Sequence, residues 1–285
     1  MRAPAHVEPV WDVARPAGPS RTTGVRMAGF RDRGTAGAGA GAGAGQRAIP
    51  HPGLTLVLEF GAGPLIVENG ADRHGGSLVA GLGLAAGDIR VRGDGFEAVQ
   101  VRLSPLVAHA VLGVPPSALD GAMVPLDDLW GREAARVRDR LAGLRRWDDR
   151  FALADVLLAR RAAEPDRPRP DPEVAWAWRR IIGSRGLARV DGLADEVGWS
   201  RKRLWSRFRT QVGLPPKRAA TLVRFDHAVH RLVAGVSPAR AAAESGYADQ
   251  SHLHRDVVSF AGLTPAAVIA EPFLAVDEFA WPTRL

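Results

Sequence analysis

The sequence has no cysteine. That excludes disulfides, thiol catalysis and thiolate zinc sites, and it is the usage expected of a cytoplasmic chain. No stretch of about 18 consecutive apolar residues occurs, so no membrane span is expected. Residues 1–20 are rich in Pro and Ala but lack the apolar centre of a secretory signal. In the N-terminal half His51, His74 and His109 stand singly rather than at metal-ligand spacing, so no metal or other cofactor is expected. No lysine follows Gly61-Ala62-Gly63 or Gly81-Leu82-Gly83 at the spacing of a phosphate loop. The paired carboxylates Asp127-Asp128 and Asp148-Asp149 fall at helix starts, where the helix dipole favours acids, so they read as structural. With no catalytic constellation left, the chain is not expected to be an enzyme.

Positive charge is in excess: 38 Lys and Arg against 31 Asp and Glu, a net +7 over 285 residues. Such an excess favours polyanionic partners. The charge is concentrated. From Trp199 to Arg231 the cations are Arg201, Lys202, Arg203, Arg207, Arg209, Lys217, Arg218, Arg224 and Arg231, and Asp226 is the single acid. With 46% hydrophobic and 24% charged residues the rest of the composition is globular, and the length allows two domains.

Periodicity divides the chain. Residues 1–24 read as a flexible tail. From 25 to 163 comes a first domain, interrupted by an alternating Gly-Ala loop at 37–45. Its strand signals are 24–33, Leu54 to Phe60, Leu65 to Val67, Ser77 to Leu84, Asp88 to Arg92, and Phe96 to Leu103. In the last of these Val99, Val101 and Leu103 alternate with Gln100 and Arg102. Short strands between Gly-rich turns suggest a small antiparallel sandwich or barrel. Helices are predicted over 106–112, 126–144 and 147–163. Residues 164–172, Pro-rich and charged, read as a linker with few contacts across it. The remainder, 173–285, reads as all-helical. The fold class expected is therefore α+β: a small antiparallel β domain with helices, then an all-α domain.

Within the helical part a motif occurs twice. Ala194-x3-Gly198, Leu204-x3-Phe208 and Gly213-Leu214-x-Pro216 return as Ala242-x3-Gly246, Leu253-x3-Val257 and Gly262-Leu263-x-Pro265. The offset is 48 residues to the first glycine and 49 after it, so the second turn holds one more residue. Each copy reads as helix, glycine turn, helix. Ser200 and Asp249 are placed to cap the second helix of each copy, predicted over 201–212 and 250–261. Pro216 opens a connecting helix that runs to about Ala234 and is closed by Gly235.

The segment from about Val174 to Val268 resembles the DNA-binding domain of the AraC/XylS family of transcription regulators. Its carriers are Leu193 to Ser200, Leu204, Phe208, Gly213 to Lys217, Arg224-Phe225, and above all Gly246-Tyr247-Ala248-Asp249-Gln250-Ser251-His252-Leu253 with Arg255, Phe260 and Gly262-Leu263-Thr264-Pro265. Ser206, Ala241 and Val257 depart from the family's pattern. More weakly, Leu103-Ser104-Pro105, Leu112 to Pro115 and Val124 to Gly131 resemble the cupin-like sensing domains of some members.

The resemblance implies that exposed residues of two recognition helices meet DNA. The candidate DNA-binding residues are Arg201, Lys202, Trp205, Ser206 and Arg209 in the first helix, Lys217 and Arg218 after it, and Gln250, Ser251, His252 and Arg255 in the second. Gln250 suits adenine and Arg255 suits guanine, although Arg255 could equally hold a phosphate. Trp205 could lie along a groove wall or pack on the helix bearing Trp176 and Trp178. The implied partners are double-stranded DNA, a small-molecule effector, RNA polymerase and a second copy of the chain, with no membrane. An enzyme or ligand-binding domain fused to a DNA-binding module, and a nonspecific architectural binder, are the alternative readings.

Overall fold

The protein is described here as a computed structural model covering residues 11–32, 45–70, 72–83, 89–271, 274, 277, 280 and 281. Its strands are β1 (Trp11–Ala14), β2 (Val25–Asp32), β3 (Gln46–Arg47), β4 (Leu54–Glu59), β5 (Leu65–Asn69), β6 (Asp72–Gly75), β7 (Leu78–Ala80), β8 (Ile89–Gly93), β9 (Glu97–Leu103) and β10 (Met123–Pro125). Its helices are α1 (Pro105–Leu112), α2 (Leu126–Trp130), α3 (Arg132–Ala142), α4 (Trp147–Ala163), α5 (Pro172–Gly183), α6 (Val190–Glu196), α7 (Arg201–Val212), α8 (Pro216–Val233), α9 (Pro238–Glu244), α10 (Gln250–Ala261) and α11 (Pro265–Ile269), with a 3-10 turn at Pro116–Leu119. The α+β class holds: an antiparallel β unit comes first and an all-helical unit second.

The strands form two antiparallel sheets, ordered β1-β2-β9-β4-β7-β10 and β3-β8-β5-β6. In the larger sheet Val25, Leu103 and Leu54 are level across three strands, as are Met27, Val101 and Leu56. Strand geometry sends alternate side chains to opposite faces. One face therefore carries Met27, Leu54, Leu56, Val99 and Val101 into a core shared with the helices. The other carries Ala28, Phe30, Val57 and Ala98 into a second core between the sheets. Gly29 allows α4 to lie on the sheet, because a Cβ there would stand 2.4 Å from the Trp147 ring. Arg150 then fixes α4 from beneath. It donates to the Leu144 carbonyl at 3.1 Å, pairs with Glu97 of β9 at 2.7 Å and lies over the Phe60 ring.

Several expectations are corrected. Residues 1–24 are not all tail, because Trp11–Ala14 pairs with β2 and Trp11 is buried against Phe30 and Phe96. The helix expected over 126–144 is two, broken at Gly131, whose φ of 54° no ordinary helical residue adopts. The Gly-Ala tract lies outside the described residues up to Gly45. The proposed linker does not separate independent bodies. Asp171 accepts a two-pronged bond from Arg207 at 2.7 and 2.9 Å, and its backbone N–H donates to Gln211 at 2.8 Å. One apolar core runs from the β unit into the helical unit without a break. Helix α1 and the 3-10 turn pack on α7. Arg47 donates to the Ala261 carbonyl at the end of α10 at 3.3 Å.

The contact of greatest consequence is ionic. Arg26 and Arg102 are cross-strand neighbours, and like charges so placed repel. Burial and the charge of Arg102 together push Arg26 down to about 10. Asp277 resolves the conflict. It pairs with Arg102 and accepts a 2.9 Å bond from His230 Nε2 of α8. All three side chains are buried, and the Arg102 guanidinium lies 4.4 Å over the Trp281 ring. Burial alone would raise the Asp277 pKa, but Arg102 and His230 hold it well below the usual carboxylate range. Burial alone would lower that of His230, but the bond to Asp277 and the charges of Asp226 and Asp277 raise it.

These opposed shifts fix a pH window. The lowered carboxylate contributes stability above about pH 4, lost as pH falls towards its folded pKa. The raised imidazole contributes stability below about pH 6.5, lost as pH rises through its folded pKa. Calorimetric melting of the full chain should therefore peak between about pH 4 and 6.5. Asp277→Asn should cost about 3–5 kcal/mol by leaving Arg102 buried without its counter-charge, and it should flatten the peak. A variant with the wild-type pH profile would assign the peak to other groups.

Candidate nucleic-acid interface

Each repeat folds as two helices joined by a glycine turn. The first pairs α6 with α7 and the second pairs α9 with α10. Residues 197–200 separate the first pair and 245–249 the second, so the extra residue read from the sequence lies in the second turn. The turns need φ of 68° at Gly198 and 70° at Gly246, a region that strains residues with a Cβ. At Gly246 a Cβ would also stand 2.2 Å from the Leu187 side chain. Ser200 accepts the Arg203 N–H at 3.2 Å and Asp249 accepts the His252 N–H at 2.7 Å. Both caps satisfy backbone donors that a helix start leaves without partners. Leu204, Phe208, Leu253 and Val257 are buried, which turns the opposite face of each second helix outward.

On α7 that outward face carries Arg201, Lys202, Trp205, Ser206 and Arg209, all exposed. Trp205 is 47% exposed. On the helix bearing Trp176 and Trp178, it is Phe208 that packs with Trp178. The Arg209 guanidinium lies 5.6 Å from the Trp205 ring centroid. On α10 the outward face carries Gln250, Ser251 and Arg255, again exposed. His252 is half-buried, edge-on to the Tyr247 ring at 5.1 Å. His254 and Ser259 are exposed beside them and were not singled out from the sequence. The four-residue step from Gln250 to His254, one helical turn along the same face, is the signal that would have found the first of them.

The basic run divides by partner. Arg207 pairs with Asp171, Arg224 with Asp256 at 3.3 Å, and Arg231 with Glu244 at 2.5 Å. Arg218 is half-buried, 4.0 Å over the Phe260 ring. Arg203 is exposed but stacks 4.2 Å over Trp199. Among the described residues, the exposed cations Arg201, Lys202, Lys217 and Arg255 have no ion-pair partner. Arg209 has a loose one, 3.7 Å from Asp120 of the β unit.

Helix α8 joins the two motifs. Pro216 occupies its first turn, and its 18 residues span about 27 Å at the α-helical rise. Among the described residues no group of three or more His, Cys, Asp or Glu is placed to hold a metal, and no helix is long and apolar enough to cross a membrane.

A concavity lies between the sheets. It is a cavity of ≈ 130 Å³ lined mainly by apolar side chains such as Trp11, Phe30, Leu65 and Phe96 from the β unit, and by Leu222 of α8 and Phe260 of α10. The polar lining side chains are His51, Thr55 and Gln100. His51 Nε2 is 2.9 Å from Thr55 Oγ1, and burial with the charge of Arg102 pushes its pKa well down, so the imidazole is neutral.

A family model described as "Helix-turn-helix domain" matches residues 193–271. A curated Bacillus subtilis (strain 168) protein, the uncharacterized HTH-type transcriptional regulator YbfI, is 34% identical over 64 residues, 22% of this chain and 23% of that protein. The match thus spans about a quarter of the relative's length. Among solved structures, the C-terminal domain of AraT from Geobacillus stearothermophilus is 19% identical, covering 36% of this chain and 87% of that one with a TM-score of 0.34. ToxT from Vibrio cholerae is 11% identical over 88% of this chain and 98% of its own, with a TM-score of 0.45.

The division of cations sets a salt dependence. About four phosphate contacts, from Arg201, Lys202, Arg209 and Lys217, give a slope of log affinity against log salt concentration near −3.6 on duplex DNA. Equilibrium binding between about 50 and 200 mM salt measures it. A slope near zero would remove electrostatics from the interface, and one near −8 would mean that the paired arginines let go of their carboxylates to reach the duplex.

Proposed function

With residues 193–271 a helix-turn-helix domain of the AraC type, we propose that this protein is a sequence-specific transcription regulator. In this reading α7 and α10 enter two adjacent major grooves, and a small molecule in the β unit controls them. The carrying observation is the tandem arrangement: two capped second helices, each with a polar outward face, joined by a rigid helix about 27 Å long. Successive major grooves on one side of a duplex are about 34 Å apart, so one chain can address both. Arg201, Lys202 and Lys217 serve as phosphate contacts, with the N-terminal turn of α8 adding backbone donors and a favourable dipole. Gln250, Ser251 and Arg255 serve as base readers, and Trp205 lies against a groove wall.

Control by a ligand draws on the cavity. An engineered apolar cavity of about 150 Å³ accepts benzene, so a small aromatic or branched aliphatic ligand suits this one. Leu222 and Phe260 would make the ligand a neighbour of α8 and α10. Gly81, Leu82 and Gly83 also line the cavity. A Cβ at Gly83 would stand 2.8 Å from Asp120 Oδ1, and Asp120 is the partner of Arg209 on α7. Movement of that wall would therefore shift a carboxylate that competes with DNA phosphate for Arg209.

Footprinting tests the groove geometry. Two protected segments centred about 10 bp apart on one face are expected. An insertion of about 5 bp between them should reduce affinity severely, and a single-groove footprint indifferent to the insertion would defeat the reading. Arg255→Ala should cost about 1–3 kcal/mol on the specific site and less on random duplex, whereas Lys217→Ala should weaken both alike. Asp120→Asn should raise DNA affinity about two- to fivefold, the range of an exposed ion pair, and should do nothing in an Arg209→Ala background. An unchanged affinity in the single variant would show that Asp120 does not compete for Arg209.

A further inference from the structure

Away from both motifs, the sequence from Arg132 to Arg146 holds six arginines against Glu133 and Asp139. In the structure Arg132, Arg136 and Arg140 follow one another at four-residue spacing along α3, all exposed, which places them in one row. Among the described residues they have no carboxylate partner. Across from them runs α4. A groove of ≈ 460 Å³ lies between the two helices, rimmed by Arg136, Arg140 and Arg160 and floored by Val137, Leu153, Val156 and Leu157. Val156 is 49% exposed. The groove's one carboxylate, Glu133, is occupied: it accepts from Arg160 at 2.5 Å and from Arg161, tying α3 to α4 across one end. The rest of the rim is cationic.

We propose that this groove docks an acidic amphipathic helix of another protein. The occupant's chemistry follows from the two surfaces together. Apolar side chains at i, i+3 and i+4 of a helix would cover Val156 and Leu153, as in helix-in-groove recognition. Carboxylates on its flanks would meet Arg136 and Arg140, and Arg forms two-pronged bonds with carboxylates. A phosphate backbone would satisfy the rim but leave the apolar floor exposed to water. A second copy of this chain would bring a row of arginines against a row of arginines, which like charge opposes. Glu133 cannot relieve that, because Arg160 and Arg161 already hold it. The α3 helix is 11 residues long, so an occupant of about three turns matches it.

The test uses the full chain and three defined probes: a synthetic helical peptide with Leu at i, i+3, i+4, i+7 and Glu on its flanks, the same peptide with Lys for Glu, and unstructured poly-glutamate. The Leu/Glu helix should bind at least tenfold more tightly than either control in a fluorescence anisotropy titration. Arg136→Glu with Arg140→Glu should weaken it at least tenfold, and Val156→Ser about threefold or more. Neither variant should change the melting temperature or the salt slope on duplex DNA. The proposal is overturned if the Leu/Glu helix does not bind, or if poly-glutamate binds as well and Val156→Ser has no effect. It is also overturned if the arginine variant lowers DNA affinity, which would make the row a phosphate contact. Sedimentation is the last check: loss of a dimer in the arginine variant would make the groove an interface between copies and overturn the proposal as well.

Discussion

The arrangement of the two units depends on one buried charge. Arg102 is buried on an interior strand of the larger sheet beside the half-buried Arg26, and a guanidinium cannot be buried next to another without compensation. Asp277 supplies the compensation from 175 residues further along the chain. His230 completes it from α8, the helix that carries both motifs. The position of α8 is therefore referenced to strand β9 through a bond between charges. Swinging the helical unit away from the sheet would separate ions as well as apolar surface. Breaking such a pair costs several kcal/mol, whereas an exposed one such as Asp120 with Arg209 contributes about one at most. The interface thus has a rigid centre against an interior strand of the larger sheet and a loose periphery near α7.

The two recognition helices are not equivalent. Helix α7 presents charge and an indole: Arg201, Lys202 and Arg209 with Trp205. Helix α10 presents hydrogen-bonding groups: Gln250, Ser251, His254 and one arginine. Phosphate contacts fix register and orientation, while base-edge contacts carry sequence information. On the function proposed above, this division of residue types corresponds to a first motif that grips and a second that reads. The one-residue difference between their turns, which leaves the caps in place, shows that each motif is a self-contained unit whose local geometry tolerates adjustment.

Much of this was legible in the sequence, and the pattern of success is physical. Both motifs were readable because every signal in them is local: Ser200 and Asp249 as caps, glycines where positive φ is needed, Leu204 with Phe208 and Leu253 with Val257 at helical spacing. Strand β9 was readable because Val99, Val101 and Leu103 alternate. Strands β3, β6 and β10 have two to four residues, too few to show a period. Strand β1 lies in a stretch whose prolines and alanines mask Trp11. The nine cations from Arg201 to Arg231 could be counted, but not which were consumed, because Asp171, Asp256 and Glu244 reach them only through the fold. Nothing local marks Asp277 as the partner of Arg102. The linker read from its prolines misled for the same reason: composition shows that a segment is not helical, not that it is free.

The separation of Arg102 from Asp277 also has a consequence in time. At about 5–20 residues per second, a ribosome needs roughly 10–35 s to travel from one codon to the other. Throughout that interval the sheet can assemble around β9 while two arginines lie side by side with their counter-ion unmade. The nascent sheet must either leave that corner open to water or draw a borrowed anion onto it. The closed arrangement is in this sense a late event of biosynthesis. A slow codon before Asp277 lengthens that interval, during which α8 lacks its charged tie to β9 and is held against the β unit by apolar packing.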